Sequence, residues 1–160
     1  MSARTLVLLR HAKSDWSTGG ADRSRPLAKR GRRQAPEAGQ WLAANVDRID
    51  LAVVSPATRA RSTWELVAAE LDDPPRVLVD DRVYAASDDE LLDVVRDLPH
   101  DAETVVLVGH NPGLEDLVSV LTDEMPGMPT SAIAVLRLPG AWSAAGPGTA
   151  TLEAAGRPPE

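Results

Sequence analysis

Four short apolar runs punctuate the chain: RTLVLL (residues 4–9), LAVV (51–54), RVLV (76–79) and TVVLV (104–108). They are continuously hydrophobic rather than alternating, which suits strands buried on both faces of a parallel sheet. Parallel neighbours cannot be joined by tight turns, so the segments between them must cross a sheet face. Those segments carry helical spacing: Leu27, Gln34, Ala38, Trp41 or Leu42, and Asn45; then Ala57, Ala60, Trp64, Val67 and Leu71. Leu91, Val94 and Leu98 form a third set, and Leu114, Leu117 or Val118, and Leu121 a fourth. The pattern predicts an α/β fold, a three-layer α/β/α sandwich around a mostly parallel sheet. After Pro129, SAIAVLRL and TATLEAA flank PGAWSAAGPG and read as an antiparallel hairpin at the sheet margin. Residues 1–155 are expected to form a single domain and 156–160 a frayed tail.

Right-handed crossovers place the C-terminal ends of parallel strands along one edge, the usual position for a ligand. Three of those ends carry chemistry. The first is Arg10-His11-Ala12-Lys13. Consecutive residues of a strand point to opposite faces, so Arg10 and His11 can meet one ligand only if the chain leaves the sheet there.

The second end, Ser55-Pro56-Ala57-Thr58-Arg59, reads as a helix start, with Ser55 as N-cap, Pro56 in the first turn and Arg59 one turn in. An arginine near a helix N-terminus opposes the helix dipole and calls for an anion. The third, Gly109-His110-Asn111-Pro112-Gly113, repeats the cap-plus-proline arrangement and puts His110 between a buried strand and a helix. His100, in a polar turn, is assigned to solvent.

Charge distribution supports an anion site in the first part of the chain. The net charge is -7, but residues 1–61 hold 12 of the 17 Lys and Arg and only 5 of the 24 Asp and Glu, leaving that part at +7 and the remainder at -14. The acidic balance argues against a general nucleic-acid or membrane binder. Phosphate-loop glycine patterns are missing, and the four tryptophans are expected to pack in the core or rim. The chain has no cysteine, which excludes disulfides and thiolate metal sites. The N-terminal sequence lacks a long apolar secretion segment, and a cytoplasmic location is expected.

RHA (10–12), RPL (25–27) followed by Gly31, SPxxRxxxT (55–63), GHNP (109–112) and TSAIAVL (130–136) together resemble the histidine phosphatase superfamily, whose fold is that of phosphoglycerate mutase. The similarity is greatest to the small SixA-like branch of phosphohistidine phosphatases. The resemblance implies that His11 attacks phosphorus and carries the phosphoryl group, and that Arg10, Arg59 and His110 hold the phosphate. Lys13 and Arg25 would extend the phosphate-binding set. Lys13 would add charge at the rim or lie on the surface; Arg25 would line the pocket mouth or pair with Asp22. No cofactor is implied, and without Asp-rich ligand spacing no metal is expected.

Ester-cleaving relatives supply a glutamate general acid from the region after the third strand, which here reads DDRVYAASDDE. No glutamate falls at the matching positions, Arg82 to Tyr84. Asp15, Asp81 and Glu90 are the remaining candidates, each also readable as a solvated carboxylate. A P–N bond needs less help in departure than an alkoxide, so the lack of an acid leans toward phosphohistidine. The expected partner is a phosphorylated protein or a small phosphorylated metabolite. Two alternatives stay open: a phosphatase of small phosphomonoesters, and a non-catalytic module that binds phosphorylated residues. Oligomeric state is not readable.

Overall fold

The computed structural model describes residues 3–160. Its strands are β1 (Arg4–Arg10), β2 (Leu51–Val54), β3 (Arg76–Val79), β4 (Thr104–Gly109), β5 (Ile133–Leu138) and β6 (Thr151–Gly156). They form one sheet in the order β3-β2-β4-β1-β5-β6. The first four neighbours are parallel, while β5 runs antiparallel to β1 and β6 antiparallel to β5. The helices are α1 (Lys29–Asn45), α2 (Thr58–Ala68), α3 (Asp88–Arg96) and α4 (Gly113–Thr122).

The expected three layers follow from which face each strand residue presents. Val7 and Leu9 of β1 and Ala52 and Val54 of β2 pack with Ala38, Leu42, Ala60, Trp64 and Val67 of α1 and α2. Leu6, Leu8, Leu51 and Val53 pack on the other face with Leu91, Val94, Leu114, Leu117 and Leu121 of α3 and α4. Both faces of the central strands are thereby removed from water, which is why their sequences are unbroken runs of Val and Leu. Burial of such side chains, at roughly 1.5–3 kcal/mol each, is the main favourable term of the fold. α3 is also closed at its start by a capping box, in which Ser87 Oγ accepts from Glu90 N–H and Glu90 Oε1 accepts from Ser87 N–H.

α1 approaches the segment after β1 so closely that a Cβ on Gly31 would collide with the Lys13 backbone. This contact explains the glycine four residues after RPL, and it presses α1 against the end of β1.

Four expectations need correction. β3 is not buried: Val77, Leu78 and Val79 are 50%, 50% and 48% exposed, because the strand is a sheet edge and belongs to neither apolar layer. α2 starts at Thr58 with Ala57 as N-cap, so Ser55 does not cap it; the Ser55 hydroxyl instead accepts from Ala57 N–H and faces His110. Asn111 likewise caps nothing, since α4 begins at Gly113 and the Asn111 amide donates to Glu115 and to the Met128 carbonyl. At the far end, Gly156, expected in the tail, is instead the last residue of β6, and Pro159 is buried.

Candidate active site

The chain does leave the sheet after Arg10. His11 N–H still donates to the Gly109 carbonyl across the β1–β4 ladder, but Ala12 N–H donates to Thr63 Oγ1 on α2 at 2.9 Å and Lys13 N–H to Gln34 Oε1 on α1 at 2.9 Å. Thr63 is fully buried, and its hydroxyl donates in turn to the Arg59 carbonyl at 2.7 Å. One side chain therefore ties the turn carrying His11 to the first turn of the helix carrying Arg59.

The result is a cavity of about 270 Å³ at the C-terminal ends of the parallel strands, lined by Arg10, His11, Lys13, Arg25, Arg59 and His110, among others. All six residues singled out from the sequence line this one space. A larger cavity of about 720 Å³ lies elsewhere, but Asp47, Asp50, Asp101, Glu103 and Glu153 line it, which disfavours an anion.

His11 is 6% exposed, and its Nδ1 lies 2.8 Å from the Ala12 carbonyl. A carbonyl can only accept, so Nδ1 carries the proton and Nε2 keeps its lone pair. Burial, reinforced by His110, Arg59 and Arg10, pushes the His11 pKa down to about 3, against the opposing pull of the Ala12 hydrogen bond. The ring is neutral near pH 7 with its nucleophilic nitrogen unprotonated. His110, whose ring centroid is 5.1 Å from that of His11, is lowered to about 4 by burial and then by Arg59. Its Nε2 is 2.7 Å from Ser55 Oγ.

The three arginines are held from behind. Arg10 Nη1 donates to the Met128 carbonyl at 3.1 Å; Arg59 Nη1 donates to the Asp22 carbonyl at 2.8 Å and Nη2 to its carboxylate at 3.1 Å. Arg25 bonds Ser14 and Asp22 and stacks 3.5 Å above the Trp16 ring, so it both pairs with Asp22 and lines the pocket. Four buried nitrogens here, Nε of Arg10, Arg25 and Arg59 and Nδ1 of His110, have no partner. Unpaired buried polar atoms are costly, and the three arginine Nε groups among these are donors in every protonation state, which suits a ligand rich in acceptors. Positions at or near the N-termini of α2 and α4 add to the same preference for an anion.

Sequence reading assigned no role here to Tyr84, Ser55 or Thr63, and treated Asp22 only as a partner for Arg25. Tyr84 stands edge-on to His110 at 5.7 Å and donates its hydroxyl to Asp22 at 2.5 Å. That bond, with those from Arg25 and Arg59, holds the Asp22 carboxyl far below the ordinary carboxylate range. Ser55 and Thr63 did lie within the SPxxRxxxT stretch, the one signal that could have found them. The acid candidates are engaged elsewhere: Asp15 with Ser17, Asp81 with Arg23 and Glu90 in its capping box. His100 is exposed, as expected. Among the described residues no cluster of three metal-ligating side chains occurs.

A family profile described as histidine phosphatase superfamily (branch 1) matches residues 6–84, which carry Arg10, His11 and Arg59. An uncharacterized protein of Mycobacterium tuberculosis is 39% identical over 155 residues, covering 90% of this chain and 96% of that protein. A SixA structure from Nakamurella multipartitia superposes with a TM-score of 0.86 at 32% identity, over 98% of this chain and 96% of that one. The chain belongs to the histidine phosphatase superfamily. Within that superfamily it is SixA-like. The protein histidine phosphatase SixA complexed with tungstate shares the fold, with a TM-score of 0.82 at 24% identity over 94% of this chain and 95% of that one. In this histidine phosphatase chain the superfamily fold places His11 and His110 at the ends of adjacent strands, β1 and β4.

Proposed function

We propose that the protein is a phosphohistidine phosphatase that works without a metal, with His11 as nucleophile and Arg10, Arg59 and His110 as catalytic phosphate-binding groups. The observation that carries this reading is the state of His11: a neutral ring, its proton fixed on Nδ1 by Ala12, with Nε2 free in a cavity shared with three arginines. In the first step His11 Nε2 forms a bond to phosphorus as the P–N bond of the substrate breaks, and the departing imidazole takes a proton from solvent. In the second, water attacks the phosphorylated His11, inorganic phosphate leaves, and Nε2 regains its lone pair. The guanidinium groups meet the charge on the phosphoryl oxygens throughout, which is where catalysis of this transfer chiefly lies.

His110 assists as a neutral donor. If Ser55 donates its hydroxyl proton to Nε2 while accepting from Ala57 N–H, the His110 proton resides on Nδ1, the buried nitrogen that lacks a partner. Lys13 and Arg25 extend the positive lining toward the mouth.

The preference for a P–N bond is supported by the carboxylates. Asp22 is the one carboxylate among the described residues lining the cavity, and Tyr84, Arg25 and Arg59 keep it ionised. An ionised carboxylate cannot donate a proton to a departing alkoxide. The phosphorylated partner is accordingly a protein carrying phosphohistidine. The test compares phosphate release from such a protein and from a small phosphomonoester, with chelator present, by wild type and by a folded His11→Ala variant. Release from phosphohistidine by wild type alone supports the reading. Faster turnover of the monoester would reassign the substrate, and binding without turnover would indicate a phospho-residue-binding module.

A further inference from the structure

Packing accounts for three of the four tryptophans and leaves the fourth in water. Trp64 and Trp142 are buried, and Trp41 is partly buried against the apolar layer that contains α1, whereas Trp16 is 72% exposed. A lone exposed apolar side chain is ordinary on a protein surface. This one lines the candidate active-site cavity, where it is the one aromatic ring besides His11 and His110 among the described residues.

The indole is fixed in that place. The Arg25 guanidinium lies 3.5 Å from the ring centre, and Arg25 is itself buried and bonded to Ser14 and Asp22. The backbone is tied on both sides as well. Ser14 bridges Leu27, Asp15 N–H donates to the Pro26 carbonyl at 2.8 Å, and the Asp15 carboxylate accepts from the N–H and the hydroxyl of Ser17 at 2.8 and 2.6 Å. One face of the ring is thus covered by a buried cation, and the other is open to solvent at the cavity mouth.

In-line transfer puts the entering and leaving atoms on opposite sides of phosphorus. His11, the entering group, is buried at the cavity floor, so the departing group must lie toward the mouth, the side on which Trp16 stands. An imidazole is flat and aromatic and gains from an aromatic neighbour; ammonia or a simple alkoxide does not.

We propose that Trp16 is a specificity-determining residue, whose free indole face stacks on the imidazole ring of the incoming phosphohistidine while Arg25 backs the other face. The inference rests on the phosphohistidine reading above and names the part of the site that recognises the leaving side of the substrate. As the P–N bond breaks, its electron pair stays with the departing imidazole nitrogen, the proton comes from solvent, and the ring leaves along the indole. Trp16 does not touch the phosphoryl group, so its effect is confined to ligands that carry a ring.

Trp16→Ala and Trp16→Phe are compared with wild type on a phosphohistidine peptide and on phosphoramidate, which contains a P–N bond but releases ammonia. The side chain is exposed, so both variants should keep the native circular dichroism. With the peptide, kcat/KM should fall by about five- to tenfold in Trp16→Ala and recover in Trp16→Phe, while phosphoramidate turnover changes by less than about twofold. Equal losses on both substrates would make Trp16 a structural support for Arg25 and overturn the proposal, as would undiminished turnover of the peptide.

A binding measurement separates this inference from the substrate assignment. Phenylphosphonate and methylphosphonate share a phosphoryl-like headgroup and differ by the ring, and each is titrated by calorimetry. Wild type should bind phenylphosphonate about five- to tenfold more tightly, and Trp16→Ala should lose that margin. A wild type inert toward phosphohistidine would withdraw the proposed function, yet the lost margin would still show a ring platform at Trp16. A ring preference equal in both proteins would overturn the platform whatever the substrate proves to be.

Discussion

Arg59 and Asp22 are joined twice, through Nη1 to the Asp22 carbonyl at 2.8 Å and through Nη2 to its carboxylate at 3.1 Å. The arginine that should grip a phosphate is thus held by another anion. Arg25 and Tyr84 bind the same carboxylate, so one aspartate organises the far wall of the pocket.

Asp22→Asn keeps the shape and the backbone carbonyl but removes the negative charge that offsets Arg59 and Arg25. Because Asp22 is half exposed, solvent damps the effect. The inhibition constant for inorganic phosphate should fall by about three- to tenfold, measured by competition in steady-state kinetics. An unchanged constant would show that the carboxylate does not oppose anion binding.

Arg59→Ala removes a buried guanidinium whose charge no other residue can deliver at that point. Turnover should drop by on the order of 100-fold or more while circular dichroism stays native. Normal turnover in a folded variant would take Arg59 out of the reaction.

Thr63→Val is nearly isosteric, yet it leaves Ala12 N–H buried without an acceptor. We expect a loss of about 1–3 kcal/mol in urea unfolding. A lower kcat should accompany it, because the turn bearing His11 loses its tie to α2. Unaltered stability would mean that another acceptor serves Ala12.

The buried histidines set a pH dependence. Both His11 and His110 have folded pKa values, about 3 and about 4, below the roughly 6.5 of an unfolded chain. The unfolded state therefore binds protons first, and stability present above about pH 6.5 is lost as pH falls toward the folded values. For His11 the loss between pH 7 and pH 5 is on the order of 2 kcal/mol. Denaturant midpoints should decline across that window, and His11→Gln should flatten the decline. The lowered carboxyl pKa of Asp22 acts in the same direction at lower pH, below about 4.

Much of the fold was legible because local patterns encode it. Unbroken Val and Leu runs require a strand with two covered faces, and β1, β2 and β4 have them. The pairing of Arg10 with His11 and the position of His110 were readable because strand ends in a parallel sheet share one edge. RVLV has the same composition, however, and only the sheet order made β3 an uncovered edge.

The chain by itself therefore determined the layered α/β architecture and the cluster of cations and histidines at one sheet edge. Tertiary structure decided what those groups do with their protons and charges. Asp22 meets Arg59 and Tyr84 across 37 and 62 residues, and Ser55 meets His110 across 55. No local propensity reports such contacts, because they exist only when separate crossovers land side by side. The neutral state of His11 has the same origin: burial sets it, and burial belongs to the packed molecule rather than to any segment of its sequence.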